Sequence, residues 1–334
     1  MKVLVTGGSG FIAAHCIELL LSSGHDIVFT VRSTSKGKKI LDTHPDLSTK
    51  KLSFVIVEDI AKEGAFEEAV KSDPPFEAVL HTASPFHFKI TDVKQDLLDP
   101  AVNGTVGILS SIKKNAPAVQ QVVVTSSFAA MSKAKNHPRV YDESSWSGIT
   151  MDEALRSDPF TAYRASKQFA EQAAWDFVEQ EKPNFKLTTM TPPAVFGPVI
   201  YFFGSLESIN TSNQTIRDLV QGKLKDGLAP SPIYLWVDVR DLALAHVRAI
   251  ERPEAVGKRV FVVAGFYRNA EIADALKKNL PQLVEKLPVG YEALPREFPY
   301  GFDNSLSKAV LGIQYRSLEE SVSDSARAIL NAVA

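Results

Sequence analysis

The stretch that decides the fold is Thr6-Gly7-Gly8-Ser9-Gly10-Phe11-Ile12-Ala13, close to the amino terminus. It follows an apolar run at residues 2–6 that is typical of a buried strand, and it leads into a helical pattern at residues 11–22. Glycines at such a strand-to-helix turn let the backbone approach a pyrophosphate, whose charge the helix amino terminus stabilises. The stretch therefore predicts a dinucleotide-binding unit, with a merely tight turn as the alternative.

Short apolar runs and helical patterns alternate over the first 190 residues. The predicted strands are 2–6, 26–31, 52–57, 78–82, 121–125 and 186–191, and the predicted helices are 11–22, 65–71, 93–115 and 161–180. The strands are continuously apolar, as expected for parallel strands that are covered on both faces. A repeated strand–helix order requires right-handed crossovers, so we predict an α/β fold with a Rossmann-type doubly wound parallel sheet.

The pattern of prolines, strands and helices in the sequence changes after residue 191. Prolines cluster, predicted strands become isolated at 234–237 and 259–263, and helical patterns recur at 241–250, 269–279 and 318–334. This pattern predicts a dinucleotide-binding domain over residues 1–191 and a smaller C-terminal α/β substrate-binding lobe over residues 192–334. Some exchange of chain between the two is expected.

Composition excludes several classes of protein. The 334 residues carry 37 Lys and Arg against 39 Asp and Glu, a net charge of −2, which gives no general attraction to nucleic acid or to an anionic membrane. Cys16 is the single cysteine, so no intrachain disulfide can form, and because an apolar strand is predicted at residues 2–6 we expect no signal peptide. We expect a cytoplasmic enzyme that is monomeric or homodimeric. We also expect no metal site, since the seven histidines lack metal-ligand spacing.

The end of the second predicted strand indicates which dinucleotide binds. NAD sites usually place an acidic residue there, whereas an arginine accommodates the 2′-phosphate of NADP. The chain has Val31-Arg32-Ser33-Thr34-Ser35-Lys36, without an acid. Arg32 can bind a phosphate in fork geometry and Lys36 adds a point charge, so NADPH is the predicted cofactor. A solvated basic turn is the alternative.

A tyrosine and a lysine four residues apart, Tyr163 and Lys167, share one face of a predicted helix. The ordinary pKa of a phenol is near 10, and a neighbouring ammonium is expected to lower it toward neutral pH. Ser127 follows the fifth predicted strand, where the carboxyl ends of parallel strands line the ligand crevice. We predict that Ser127 hydrogen-bonds a substrate carbonyl while Tyr163 protonates it.

Aromatic residues flank the motifs at the ends of the predicted strands. An apolar substrate wall, with ordinary core packing as the alternative, is predicted for Phe86, Phe128, Phe160 and Tyr201. The sequence shows no evident carboxylate clamp. The expected substrates are therefore small to medium aldehydes, 2-oxoaldehydes, diketones and keto esters.

Taken together, the chain resembles the extended short-chain dehydrogenases/reductases from end to end. Within that superfamily it is most similar to the dihydroflavonol reductase-like branch, particularly the yeast and fungal NADPH-dependent methylglyoxal or aldehyde/ketone reductases. Besides the motifs above, the resemblance rests on the segments 81–86, 101–104, 195–198 and 237–241.

The resemblance implies a role for each matching position. Ser127 would polarise the carbonyl, Tyr163 would donate the proton, and Lys167 would lower the pKa of Tyr163 and hold the nicotinamide ribose. The implied cofactor contacts are Gly7, Gly8, Ser9, Gly10, Phe11, Ile12, Arg32, Lys36, Asp59, Ile60, Thr82, Ala83, Ser84, Thr125, Tyr163, Lys167, Pro192, Val195 and Ser212. Asn103 is either part of a proton relay or a structural residue of its helix.

The predicted function is an NADPH-dependent carbonyl reductase that acts on a small-molecule substrate. A nucleotide-sugar epimerase or dehydratase on the same scaffold is one alternative, which Arg32 argues against. A regulator that senses NADP(H) without turnover is the other, although both Tyr163 and Lys167 are present. Asp158 to Ala162 replace the aromatic-rich segment of cinnamoyl-CoA reductases, which disfavours a CoA thioester as substrate.

Overall fold

The structure, a computed structural model, describes residues 1–84, 91–201, 204–291 and 297–332. Its strands, numbered in chain order, are β1 (Lys2–Thr6), β2 (Asp26–Val31), β3 (Leu52–Ile56), β4 (Ala78–His81), β5 (Gln121–Thr125), β6 (Val140–Tyr141), β7 (Lys186–Met190), β8 (Ala194–Phe196), β9 (Leu235–Asp238), β10 (Arg259–Val260), β11 (Gly265–Phe266) and β12 (Gly301–Phe302). The α-helices are α1 (Phe11–Ser22), α2 (Thr34–Asp42), α3 (Asp99–Asn115), α4 (Met151–Leu155), α5 (Pro159–Glu181), α6 (Gln214–Gln221), α7 (Val239–Glu251), α8 (Asn269–Asn279), α9 (Ser305–Leu311) and α10 (Leu318–Asn331).

Among the described residues, seven strands form one sheet in the order β10-β7-β5-β4-β1-β2-β3. Every neighbouring pair in this sheet is parallel. The order reverses between β1 and β4, and such a switch point is where open α/β sheets bind ligands, beyond the carboxyl ends of the strands. The predicted doubly wound parallel fold is confirmed.

The two faces of the sheet bury separate apolar clusters, because successive side chains of a strand point to opposite faces. Val3 and Val5 of β1 pack with residues of α1 and α7 on one face. Leu4, between them, packs with residues of α3 and α5 on the other face. The helices on the two faces thereby hold the strands in place, including the strand ends that carry the polar residues described below.

Residues beyond 191 contribute to both parts of the fold. β8, β9 and β11 form a separate three-stranded sheet that packs with α6, α8 and α10 around Phe196 and Trp236. The intervening segment returns to the large sheet, where α7 packs on α1 and β10 pairs with β7. Beyond residue 191 the chain therefore passes repeatedly between the large sheet and the three-stranded sheet.

The predicted helix at residues 65–71 is wrong, since the structure has consecutive turns there. Gly64 has a positive φ of 70°, and a segment of about two turns is too short to be stable as an isolated helix. α5 begins two residues before the predicted start because Asp158 caps it and Pro159 occupies its first position. Within the described ranges, no helix is both long enough and apolar enough to cross a membrane.

Candidate active site

The glycine-rich turn after β1 leaves a cradle that side chains would fill. Gly7 has a φ of 72°, and a Cβ there would lie 3.0 Å from the Cα of Ala83. A Cβ on Gly8 would lie 2.5 Å from the ring of Phe29. Gly10 precedes α1 and caps it without a side chain, so the first N–H groups of the helix remain available to an anion. This donor set fits the pyrophosphate of a dinucleotide.

Two cationic side chains, Arg32 and Lys36, lie at the end of β2. Arg32 is exposed and Lys36 is half-buried, and neither forms an ion pair with any residue that the structure describes. Lys36 lines a cavity of about 420 Å³ together with Ser9 and Gly10. Basic side chains at the end of β2, one of them in this cavity, fit the 2′-phosphate that distinguishes NADP from NAD.

A second cavity of about 430 Å³, which we call the cofactor cleft, extends from the glycine-rich turn to the ends of β4 and β5. Many predicted cofactor residues line it: Gly10, Phe11, Ile12, Thr82, Ser84, Thr125, Tyr163, Lys167, Pro192, Val195 and Ser212. Arg32, Asp59 and Ile60 lie outside the lining of both cavities. Asp59 is exposed and accepts a hydrogen bond from the backbone N–H of Ala61 at 2.9 Å.

Ser127, Tyr163 and Lys167 meet where this cleft ends. Ser127 precedes a short 3₁₀ turn at Phe128–Ala130, and its Oγ accepts a hydrogen bond from the backbone N–H of Ala129 at 3.0 Å. The side chains of Ser127 and Tyr163 are hydrogen-bonded to each other. The Nζ of Lys167 lies 5.8 Å from the ring centre of Tyr163 and donates to the Oγ of Ser84 at 2.6 Å.

The pKa of Tyr163 moves in the direction opposite to the one predicted. Burial raises it to about 12, because the phenolate loses its hydration, and the hydrogen bond from Ser127 opposes this rise only in part. In the chain without its cofactor, the phenol is therefore fully protonated at neutral pH. That state suits a proton donor, which is the role that reduction of a carbonyl requires.

Burial also shifts the pKa of Lys167, which falls to about 8 because the ammonium loses its hydration. The negative charge of Glu171, one helical turn further along α5, raises the pKa and opposes this fall. The ammonium consequently remains the main form at pH 7. A cation is thus held beside the phenol at the pH where the enzyme is expected to work.

Glu171 is fully buried and connects α5 to the sheet. Its carboxylate accepts hydrogen bonds from the hydroxyls of Ser126 at 2.7 Å and Thr189 at 2.8 Å. Arg259 donates to the same carboxylate through Nε at 2.8 Å and Nη2 at 3.0 Å. Ser126 precedes Ser127, so this network links the strand end that carries Ser127 to the helix that carries Lys167. Glu171 was not predicted from the sequence, although its four-residue spacing from Lys167 was a signal.

A third cavity, of about 230 Å³, opens on the other side of Ser127 and Tyr163. We call it the substrate cavity. Its lining is Ser127, Phe128, Ala129, Ser132, Phe160, Tyr163, Arg164, Pro193, Ala194, Phe196, Thr211, Ser212, Thr215, Pro232, Ile233, Tyr267, Asn269 and Ile272. The wall also includes the polar residues Asn269 and Arg164, which were not anticipated from the sequence.

Two residues of the predicted aromatic wall line one cavity. Phe128 and Phe160 line the substrate cavity, and Phe86 lies outside the described residues. Tyr201 requires a correction, because its hydroxyl binds Glu18 and His44, the latter at 3.0 Å, beside the cavity that contains Lys36. The long connection after β8 carries Tyr201 toward α1 and away from Ser127.

This combination of a glycine-rich turn, a basic strand end and a serine–tyrosine–lysine set defines an oxidoreductase of the Rossmann type. Residues 3–264 match the family described as the NAD dependent epimerase/dehydratase family, and the chain belongs to that family. The predicted membership of the extended short-chain dehydrogenases/reductases is confirmed.

Similar proteins extend over the whole chain. The ketoreductase azaE of Aspergillus niger is 49% identical over 333 residues, which cover 98% of this chain and 97% of that protein. The NADPH-dependent methylglyoxal reductase GRE2 of Saccharomyces cerevisiae is 38% identical and covers 99% and 98% of the two chains. The crystal structure of yeast methylglyoxal/isovaleraldehyde reductase Gre2 complexed with NADPH superposes with a TM-score of 0.91 at 36% identity, covering 100% and 99%.

Proposed function

We propose that this protein is an NADPH-dependent carbonyl reductase that converts aldehydes or ketones to alcohols. The observation that carries the proposal is the position of Tyr163. Its side chain lines both the cofactor cleft and the substrate cavity, and it is hydrogen-bonded to Ser127. A carbonyl held by these two hydroxyls therefore lies between the space for a dinucleotide and the space for the rest of the substrate.

When bound, NADPH supplies the hydride that reduces the carbonyl carbon. Ser127 and Tyr163 donate hydrogen bonds to the carbonyl oxygen, where negative charge develops in the transition state. Tyr163 then transfers its proton to that oxygen. An alkoxide is a stronger base than a phenolate, so the transfer is favourable even from a phenol with a pKa of about 12. Lys167 stabilises the phenolate that remains.

NADPH is supported by both ends of the cofactor cleft. Arg32 at the end of β2 and Lys36, which lines the cavity beside the glycine-rich turn, form no ion pair within the described ranges. Lys167 and Ser84 line the opposite end, next to Tyr163. The relatives agree with this assignment, since the yeast reductase is NADPH-dependent and was crystallised with NADPH.

The proposed substrates are small to medium carbonyl compounds such as 2-oxoaldehydes, diketones and keto esters. The substrate cavity has a volume of about 230 Å³, and its wall includes Phe128, Phe160, Phe196 and Ile272. The names of the relatives, a ketoreductase and a methylglyoxal reductase, support this class. A nucleotide-sugar epimerase has the same fold at 19% identity, which bears on the fold alone.

We also propose separate roles for the two parts of the chain, a cellular location and an oligomeric state. Residues 1–191 would bind most of the dinucleotide, and residues 192–334 would supply most of the substrate wall. Pro192, Val195 and Ser212 from the second part complete the cofactor cleft. The proposal of a cytoplasmic monomer or homodimer rests on the single cysteine and the near-neutral charge of the sequence.

The test is to follow oxidation of NADPH and of NADH, in parallel, against methylglyoxal, a diketone and ethyl acetoacetate. We expect turnover with a strong preference for NADPH. In Tyr163→Phe, kcat should fall at least about 10²-fold, the usual scale for loss of a positioned acid. NADPH binding, measured by calorimetry, should persist in that variant. Turnover by Tyr163→Phe near the wild-type rate would refute the assignment.

A further inference from the structure

Arg164 immediately follows the proposed proton donor, Tyr163, on α5 and lines the substrate cavity. The side chain is half-buried, and its Nη1 atom is buried without a hydrogen-bond partner among the described residues. Buried donors are almost always paired, because an unmade hydrogen bond is costly. The unpaired hydrogen-bond donor of Arg164, a residue in the wall of the substrate cavity, therefore needs an explanation.

The residues around Arg164 do not neutralise it. Its guanidinium lies 4.7 Å from the ring centre of Phe160, and it forms no ion pair within the part of the chain that the structure describes. Among acidic side chains, Asp158 has the largest electrostatic effect on the pKa of Arg164 and raises it. The Asp158 carboxylate is already engaged at the start of α5, where it accepts from two backbone N–H groups and from the hydroxyl of Thr161 at 2.7 Å.

The other groups that face Arg164 are neutral at pH 7. Burial raises the pKa values of the Tyr141 and Tyr300 phenols, and it lowers that of the His137 imidazole, which Arg164 lowers further. Burial also lowers the pKa of Arg164 itself, but a guanidinium stays protonated in proteins. The cavity consequently contains a cation whose charge and donor geometry match a carboxylate.

We propose that Arg164 is a specificity-determining residue that binds a carboxylate on the substrate, so that the enzyme reduces oxo acids better than their neutral esters. This inference rests on the proposed carbonyl reductase activity and specifies its substrate class. The ketone oxygen would bind Ser127 and Tyr163, and the carboxylate would bind the guanidinium of Arg164, which lines the same cavity. It differs from the expectation drawn from the sequence, in which no carboxylate clamp was evident.

The test uses acetoacetate and levulinate, each paired with its ethyl ester. We expect the wild-type enzyme to reduce at least one acid with a higher kcat/KM than its ester. In Arg164→Gln, the acid-to-ester ratio of kcat/KM should fall about 10- to 100-fold, the scale of a charged hydrogen bond. In Arg164→Lys, the acid-to-ester ratio of kcat/KM should fall less than in Arg164→Gln. Lysine keeps the positive charge but lacks the two parallel donors of a guanidinium.

Arg156 supplies the matched control, since it is an exposed arginine shortly before α5 that forms no ion pair among the described residues. Arg156→Gln removes the same charge and should leave the ratio unchanged. Equal loss on acid and ester in Arg164→Gln, or reduction of the esters but of neither acid by the wild type, would overturn the proposal. Failure to reduce any carbonyl compound would instead contradict the proposed function itself.

A second measurement does not depend on a variant. Butanoate and butanamide have similar shapes and differ in charge, and neither has a reducible ketone. As competitive inhibitors of ethyl acetoacetate reduction by the wild type, butanoate should bind at least about tenfold more tightly. Equal inhibition by the acid and the amide would refute a carboxylate site at Arg164.

Discussion

Glu171 and Arg259 form a two-pronged ion pair inside the protein, although they are 88 positions apart in the chain. Both side chains are almost completely buried. The guanidinium of Arg259 also donates to the backbone carbonyls of Glu143 at 2.8 Å and Ser145 at 2.6 Å, and it stacks on Trp146 at 3.7 Å. The pair connects the edge strand β10 to α5, the helix that carries Tyr163 and Lys167.

Glu171→Gln should destabilise the fold and shift the pH dependence of activity. Removal of one partner leaves the Arg259 charge buried, which typically costs about 3–5 kcal/mol. Glu171 also raises the pKa of Lys167, so in the variant that pKa should fall below its present value of about 8. Because Lys167 is needed as the ammonium, activity should decline with rising pH at a lower pH than in the wild type.

The measurements are urea unfolding and the pH profile of kcat/KM with NADPH and ethyl acetoacetate. Glu179→Gln on the exposed side of the same helix is the control and should leave both unchanged. An unshifted alkaline limb in Glu171→Gln would show that Glu171 is structural and does not act on Lys167.

Neutralising the basic end of β2 should change the choice of cofactor. In Arg32→Gln and Lys36→Gln, we expect the Kd for NADPH to rise about 10- to 100-fold each, because a charged hydrogen bond to the 2′-phosphate is lost. The Kd for NADH should change little, since it has a hydroxyl at that position. Calorimetric titration of both cofactors checks this, and equal weakening of NADH would contradict the assignment of the phosphate site.

A methyl group at Gly8 should be harmful and one at Gly107 harmless. The added Cβ of Gly8→Ala would lie 2.5 Å from the Phe29 ring, and such overpacking costs about 1–3 kcal/mol. Gly107 lies in α3, and apart from the adjacent backbone of that helix no atom of the described residues lies within 4 Å of an added Cβ, so Gly107→Ala should stabilise the fold by about 0.5–1 kcal/mol. Thermal unfolding of both variants tests the contrast, and Gly8→Ala should also bind NADPH more weakly.

His246 makes stability depend on acid pH. Its Nδ1 donates to the carbonyl of Leu242 at 2.8 Å, so its Nε2 is free to accept from the Thr125 hydroxyl at 2.7 Å. Burial lowers its pKa from 6.5 to about 4, which means that the unfolded chain binds a proton at pH 5 and the folded protein does not. Its contribution is complete above pH 6.5 and is lost as the pH falls toward 4.

The expected loss at this histidine between pH 6.5 and pH 5 is about 2 kcal/mol, from about 1.4 kcal/mol per pH unit. His246→Gln removes the titrating group, so its unfolding free energy should fall less over that interval than that of the wild type. His81, which is also buried with a pKa lowered to about 3, is present in both proteins and cancels in the difference. Parallel pH dependences for the two proteins would contradict the assignment.

Much of the fold could be predicted because its signals are local. The glycines after β1 and the continuous apolar runs specify a parallel sheet without reference to distant residues. Parallel strands share one edge for their carboxyl ends, so the sequence also placed Ser127 near the helix of Tyr163 and Lys167. The structure brings these three side chains together.

Features that depend on packing between distant segments could not be predicted. Tyr201 follows a proline-containing connection, and its contacts with Glu18 and His44 are set by how that connection crosses α1. The direction of the Tyr163 pKa shift depends on how completely the fold buries the phenol, which the Tyr163–Lys167 spacing does not reveal. Arg164 had no signal beyond its adjacency to Tyr163.

The return of α7 and β10 to the large sheet bears on any attempt to recombine this enzyme with its relatives. A chimera joined at residue 191 would remove the helix that packs on α1 and the strand that pairs with β7. The apolar side of α1, including the buried Ile17 and Leu20, would then meet a foreign surface. A transplant of the substrate wall should therefore leave residues 239–260 in place and exchange the segments on either side of them.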